Sequence, residues 1–227
     1  MKLRTVLLPG FWLLFMFVFL AGVRPLNAQT NDSGLAAESL LPGNEAILDH
    51  HESDERANDL TNGQRLQWFL DSTLRPHSAA AGVLSAGLGT GVNRPTEYGR
   101  RGQGFAERYE MRFAGIAAGN ALEATLGAIW KEDPRYHRVP EKPFGRRVRN
   151  VIRMTFVAYR SDGNPAPAYA RYLGIADSNF LSNSWRVPSE ANLHDVALRT
   201  FTGFLARMGG NALQEFWPDV KKRMLHQ

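Results

Sequence analysis

The residue types best able to do chemistry gather at Asp133-Pro134-Arg135-Tyr136-His137-Arg138, where an acid, a phenol, an imidazole and two guanidiniums crowd together. Two readings fit. In the first, Asp133 caps a helix or pairs with Arg135 or a neighbouring arginine, and Tyr136 plugs the end of a helix bundle. In the second, Arg135, Arg138 and Arg146 grip phosphate or carboxylate as planar donors. His137 reads more simply as a capping or surface histidine than as a general base. Glu123 lies upstream on a stripe of small residues, either as the solvated end of that stripe or as a buried carboxylate, which would need an arginine partner. Together with Asp133 it is the carboxylate pair that a hydrolase or other enzyme would use, and that is kept as an alternative.

Other candidate chemistry fails on context. Ser85, within Gly82 to Gly87, has one residue too many for a nucleophile elbow and no strand before it. The glycines from Gly87 to Gly91 and from Gly99 to Gly104 lack the strand, turn and helix that let a backbone cradle a pyrophosphate. Among the histidines, none pair at the three- or four-residue spacing of a helical metal site, and only His50-His51-Glu52 cluster. There is no cysteine, so packing must hold the fold. The reading assigns no cofactor, no metal and no nucleic-acid partner.

The elements that would position these groups are helices. Thr61 and Gln64 form a capping box ahead of Leu66, Phe69, Leu70, Thr73 and Leu74, until Pro76 ends the run. Residues 79–92 are apolar but glycine-rich, either a close-packed helix or a loop. The longest helix is expected from Phe105 to Trp130, with Gly115, Gly119 and Gly127 as a close-packing stripe. Phe144 to Arg160 is amphipathic. Val148, Val151, Ile152, Thr155, Phe156 and Tyr159 form its inner face, and Arg146, Arg149, Arg153 and Arg160 form a cationic outer stripe. Asp162-Gly163-Asn164-Pro165 turns the chain. Tyr169, Tyr172, Leu173, Ala176 and Phe180 mark the next helix. Ser189 then caps a helix burying Leu193, Ala197, Phe201, Phe204, Leu205 and Met208, which Gly209-Gly210 ends before a short terminal piece. The fold class is all-α, a bundle of five or six helices with short loops.

Four pieces, taken in order, resemble an uncharacterised family of exported bacterial all-helical proteins with DPRY(F/H)R and EFWPD motifs. They are Ala106-Glu107-Arg108-Tyr109, Asp133 to Arg138, Arg160-Ser161-Asp162-Gly163 and Glu215-Phe216-Trp217-Pro218-Asp219. The chain departs before Pro188, where Asn183-Ser184-Trp185-Arg186 stands in place of the pair of tyrosines frequent in the family. The resemblance implies an all-helical fold and export, and it supplies no activity.

The N-terminus supplies the compartment. Lys2 and Arg4, then an apolar run through Phe11 to Val23 interrupted by Pro9-Gly10, then Leu26-Asn27-Ala28, read as a signal peptide of residues 1–28 cleaved before Gln29. The alternative is an N-terminal membrane anchor. Residues 29–60 hold eight acids against Arg56, a composition that predicts a flexible segment, while residues 61–227 form the helical domain. The expectation is an exported, periplasmic or envelope-associated, non-enzymatic protein whose arginine-bearing surface meets anionic lipid or another envelope component. An integral membrane version, spanning through Phe113 to Trp130, is a further alternative.

Overall fold

Thr61 starts the first helix as its spacing from Gln64 predicts. In the computed structural model its Oγ1 accepts from the Gln64 amide at 3.2 Å, and the Gln64 side chain accepts from the Thr61 amide at 2.9 Å. The structure describes residues 60–225, so the signal peptide or anchor, His50-His51-Glu52 and the acidic segment up to residue 59 lie outside the described residues. Helix α1 (Asn62–Leu74) stops ahead of Pro76, whose fixed φ opens α2 (Pro76–Gly91). The glycine-rich stretch is therefore helical. Its glycines are used for close approach: a Cβ on Gly82 would stand 2.9 Å from the Tyr109 ring, and one on Gly89 would stand 3.0 Å from Arg108.

Helix α3 (Gly102–Trp130) ends at Lys131, which takes a left-handed conformation with φ 58°. Helix α4 (Phe144–Phe156) is shorter than its amphipathic pattern suggests. The next residues form β1 (Val157–Tyr159), paired antiparallel with β2 (Pro165–Pro167). Asp162 Oδ1 accepts from the Asn164 amide at 2.9 Å and Gly163 adopts φ 75°, so the turn takes the chain out of the helix before Arg160. Arg160 thus leaves the predicted stripe. Helix α5 (Tyr169–Leu181) follows, then α6 (Leu193–Leu225), which at 33 residues is longer than α3.

Gly209-Gly210 does not end α6. Asn211 Nδ2 donates to Thr155 Oγ1 at 3.1 Å and Glu215 is wholly buried, so tertiary contacts just beyond the glycines offset their helix cost. Ser189 lies in the 3₁₀ turn Pro188–Glu190 and is not the cap; Asn192 Oδ1 caps α6 by accepting from the Asp195 amide at 2.9 Å.

The architecture is all-α, with α3 against α1, α2 and α5, and α6 against α4 and α5. Gly119 and Gly174 let α3 and α5 touch. A Cβ on Gly174 would come within 2.8 Å of the Gly119 carbonyl oxygen. Gly127 meets the Ala170 side chain, whereas Gly115 has open space, so only part of the predicted stripe packs.

The inner faces depart from the apolar patterns. Large apolar side chains read as core are exposed: Leu70 and Leu74 on α1, Ile152 and Phe156 on α4, Tyr169, Leu173 and Phe180 on α5, and Leu193, Phe201 and Leu205 on α6. Apart from Val151 and Met154 on α4, Val187 and Leu60, what is buried is small or polar. Ala117, Ala121, Ala124 and Ala170 line the interior with Arg65, Arg108, Glu123, Arg171, Asn211 and Glu215. Buried charge of this kind needs partners to offset desolvation, and the small residues bring those partners into reach. No helix among the described residues is long and apolar enough to cross a membrane, so Phe113 to Trp130 does not supply a span.

Candidate functional site

Glu123 is buried, not solvated. Arg171 Nε and Arg207 Nη2 each donate to its Oε1 at 2.9 Å. Arg171 also donates to the carbonyls of Met154 at 2.6 Å and Thr155 at 3.3 Å, closing the C-terminal turn of α4. Arg207 donates to the Pro134 carbonyl at 2.7 Å and lies 5.5 Å from the Trp68 ring centroid. Burial pulls the Arg207 pKa down, opposed by the Glu123 charge. The glutamate placed by sequence thus holds two arginines that sequence reasoning missed. No local signal marks Arg171, because its face, with Gly174 and Ser178, is small and polar and is buried only through the contact with α3.

Asp133 takes the bracing role. Its carboxylate accepts from Arg135 Nε at 3.0 Å, from Arg135 Nη2 at 2.8 Å and from the Arg135 amide at 2.8 Å, and His137 Nε2 lies 3.2 Å away. Burial alone would raise its pKa, but the hydrogen bonds from His137 and Arg135 outweigh burial and hold it far below the usual carboxylate range. An acid so depressed cannot deliver a proton near neutrality. Glu132 beside it caps α5, its Oε2 accepting from the Ala170 amide at 3.0 Å, and burial raises its pKa against that bond.

The depressed Asp133 pKa carries a sign. The folded state binds the proton less readily than the unfolded chain does. Asp133 therefore contributes stability above about pH 4, and that contribution is lost as pH falls through the ordinary carboxylate range and below. In urea unfolding, the stability gap between parent and Asp133→Asn should stay level between about pH 5 and 8 and narrow below about pH 4. A gap constant down to about pH 2 would show that the carboxylate charge does not matter there.

Tyr136 turns the motif toward the C-terminus. Its hydroxyl donates to Glu215 Oε2 at 2.8 Å, and burial and that bond push the phenol pKa up. Arg138 Nη2 donates to the Glu215 carbonyl at 2.9 Å, and the Val139 amide donates to Glu215 Oε2 at 3.3 Å. Arg147 from α4 completes the set, with Nε on Glu215 Oε1 at 2.7 Å and Nη2 on Asp219 Oδ2 at 2.6 Å. Its guanidinium also lies 4.5 Å from the Phe216 ring centroid. The Asp133 to Arg138 and Glu215 to Asp219 pieces, far apart in sequence, are one bonded cluster.

The predicted anion set is divided among these roles. Arg135 and Arg138 are taken up by internal acceptors, Arg146, Arg149 and Arg153 are exposed on α4, and Arg160 sits beyond β1, bridged to Glu132 through the backbone. Asp162 serves the hairpin turn. Glu123 and Asp133 belong to different arginines and do not form a carboxylate pair. Among the described residues no group of histidine and acidic side chains could hold a metal. No family model matches the chain, and no curated protein and no solved structure matches it.

Proposed function

We propose that the protein is an exported, non-enzymatic component of the cell envelope that rests on an anionic lipid surface through the outer face of α4. The carrying observation is the make-up of that face. Arg149 and Arg153 are exposed together with Ile152 and Phe156, so cations and apolar side chains alternate on one outward surface, and Arg146 extends it by a turn. Interfacial helices pair these two kinds of group, apolar chains entering the acyl boundary while arginines meet phosphate. An aromatic shelf adjoins it. Phe156 stacks on Phe204 with ring centroids 5.7 Å apart, Tyr172 packs against Phe204 at 5.9 Å and donates its hydroxyl to the Phe156 carbonyl, and Tyr169 is half exposed alongside. The signal-like N-terminus and the resemblance to exported helical proteins support the same compartment. The engaged state of Glu123 and Asp133 weighs against the hydrolase alternative.

Vesicle sedimentation of the chain beginning at Gln29 tests this. Each arginine near an anionic surface contributes about 1 kcal/mol, so Arg149→Gln/Arg153→Gln should bind phosphatidylglycerol vesicles roughly thirtyfold more weakly at low salt, and the difference should shrink as salt screens it. Ile152→Ser/Phe156→Ser should lower the salt-resistant remainder. Equal binding by parent and the arginine variant at every salt concentration would leave α4 as ordinary surface.

A further inference from the structure

A second cationic cluster lies away from the α4 face. Helices α3 and α5 run antiparallel: Gly127 meets Ala170, Glu123 meets Arg171, and Gly119 meets Gly174 and Ser178. Continued at the same step, that ladder brings Arg112 opposite the turn after α5, where Ser182 and Arg186 sit. Ser85 reaches in from α2.

Arg112 is short of partners. Among the described residues its hydrogen bond goes to a neutral group, Ser85 Oγ at 2.8 Å, and its Nε is buried with no partner. Burial and then repulsion from Arg186 depress its pKa, with no carboxylate offsetting them. Arg186 is oriented by Ser182 Oγ at 3.2 Å and by Glu190 Oε2 at 2.8 Å, which leave its second terminal nitrogen uncommitted. Glu190 is held by Arg186, Asp195 accepts from Asn192 at 2.7 Å, Glu97 bonds Ser189, and Arg199 donates to the Glu190 carbonyl at 2.8 Å and to Asn183 Oδ1 at 2.6 Å.

A guanidinium held partly out of water with no counter-charge is costly unless an anion completes it. We propose that Arg112 and Arg186, with the Ser85 hydroxyl as a further donor, form a binding site for a phosphate group. Phosphate suits this set, because a guanidinium from α3, a second from the turn after α5 and a hydroxyl from α2 are donors of the kind a tetrahedral oxyanion accepts. The phosphate is either that of a lipid headgroup or of a free phosphate ester. Leu84 and Leu88 on α2 and Leu181 at the end of α5, all exposed near these groups in sequence, would suit an acyl chain. The site is independent of the α4 surface.

Phosphorus NMR and equilibrium dialysis on the full-length chain in detergent test it, with inorganic phosphate in one arm and dihexanoyl phosphatidic acid in the other. Saturable binding is expected, weakened at least about tenfold by Arg112→Met and by Arg186→Gln, since a hydrogen bond to a charged group carries that much. Ser85→Ala should weaken it less, and Arg223→Gln, on the exposed end of α6, should not change it. Circular dichroism on each variant confirms that it folds. Tighter binding of the lipid than of inorganic phosphate assigns the headgroup; equal binding assigns the free ester. Absence of saturable binding by the parent in both arms, or equal binding by parent, Arg112→Met and Arg223→Gln, overturns the proposal.

Discussion

Arg171→Met should unfold the domain at a temperature on the order of 10 °C below the parent, a loss of about 3–5 kcal/mol. Arg171 is 1% exposed, and its guanidinium holds the Glu123 carboxylate together with carbonyls of Pro134, Met154, Thr155 and Val157. Methionine fills much of the same volume, so the loss measures polar groups left without a donor and not a cavity. Arg207 still reaches Glu123 at 2.9 Å, which keeps the carboxylate from being wholly orphaned. Among the described residues, no second side chain donates to the Met154 and Thr155 carbonyls at the end of α4. The double variant Glu123→Leu/Arg171→Met should therefore not recover parent stability. Thermal unfolding followed by circular dichroism decides the matter: a melting temperature within a degree or two of the parent would mean that water replaces the guanidinium and the interior is not closed.

The all-α class was legible because it rests on local signals. The Thr61–Gln64 capping box, Pro76 as the stop of α1 and the Asp162-Gly163-Asn164 turn each act within a few residues, and each stands where its chemistry requires. Burial was not legible in the same way. Helical periodicity finds two faces but does not say which faces inward, and the usual rule that the apolar face is buried assigns α5 and α6 the wrong way round. On α5 the buried side is Ala170, Arg171, Gly174 and Ser178, small and polar residues that permit the close α3 contact, and it carries the arginine that Glu123 needs.

Helix length failed for a related reason. Gly209-Gly210 reads as a stop signal, yet Asn211 and Glu215 just beyond are tied to Thr155, Tyr136 and Arg147, and no sequence-local rule sees partners so many residues away. The motif pieces were visible as residues, but their meeting was not. Arg147 lay unremarked beside Arg146 and Arg149 because it points off the stripe, and it proves to be the arginine that joins α4 to the C-terminal motif.

That junction sets up the other large effect. Glu215→Leu should cost about 3–5 kcal/mol, because it removes a wholly buried carboxylate and leaves Arg147 Nε, the Tyr136 hydroxyl proton and the Val139 amide without their acceptor. Asp219→Asn touches the same arginine but should cost far less than Glu215→Leu, since Asp219 is 38% exposed and an exposed pair contributes little. The contrast separates burial from charge count: both changes take one negative charge from Arg147, and only one takes it from a place water cannot refill. Glu215→Gln should fall between the two, keeping a carbonyl oxygen for Tyr136 or Arg147 but not the charge. Urea unfolding of the three variants gives the ranking. If Asp219→Asn proves as damaging as Glu215→Leu, the cluster is held by its net charge at the exposed rim, and the buried brace between the two motifs is not what keeps the end of α6 in place.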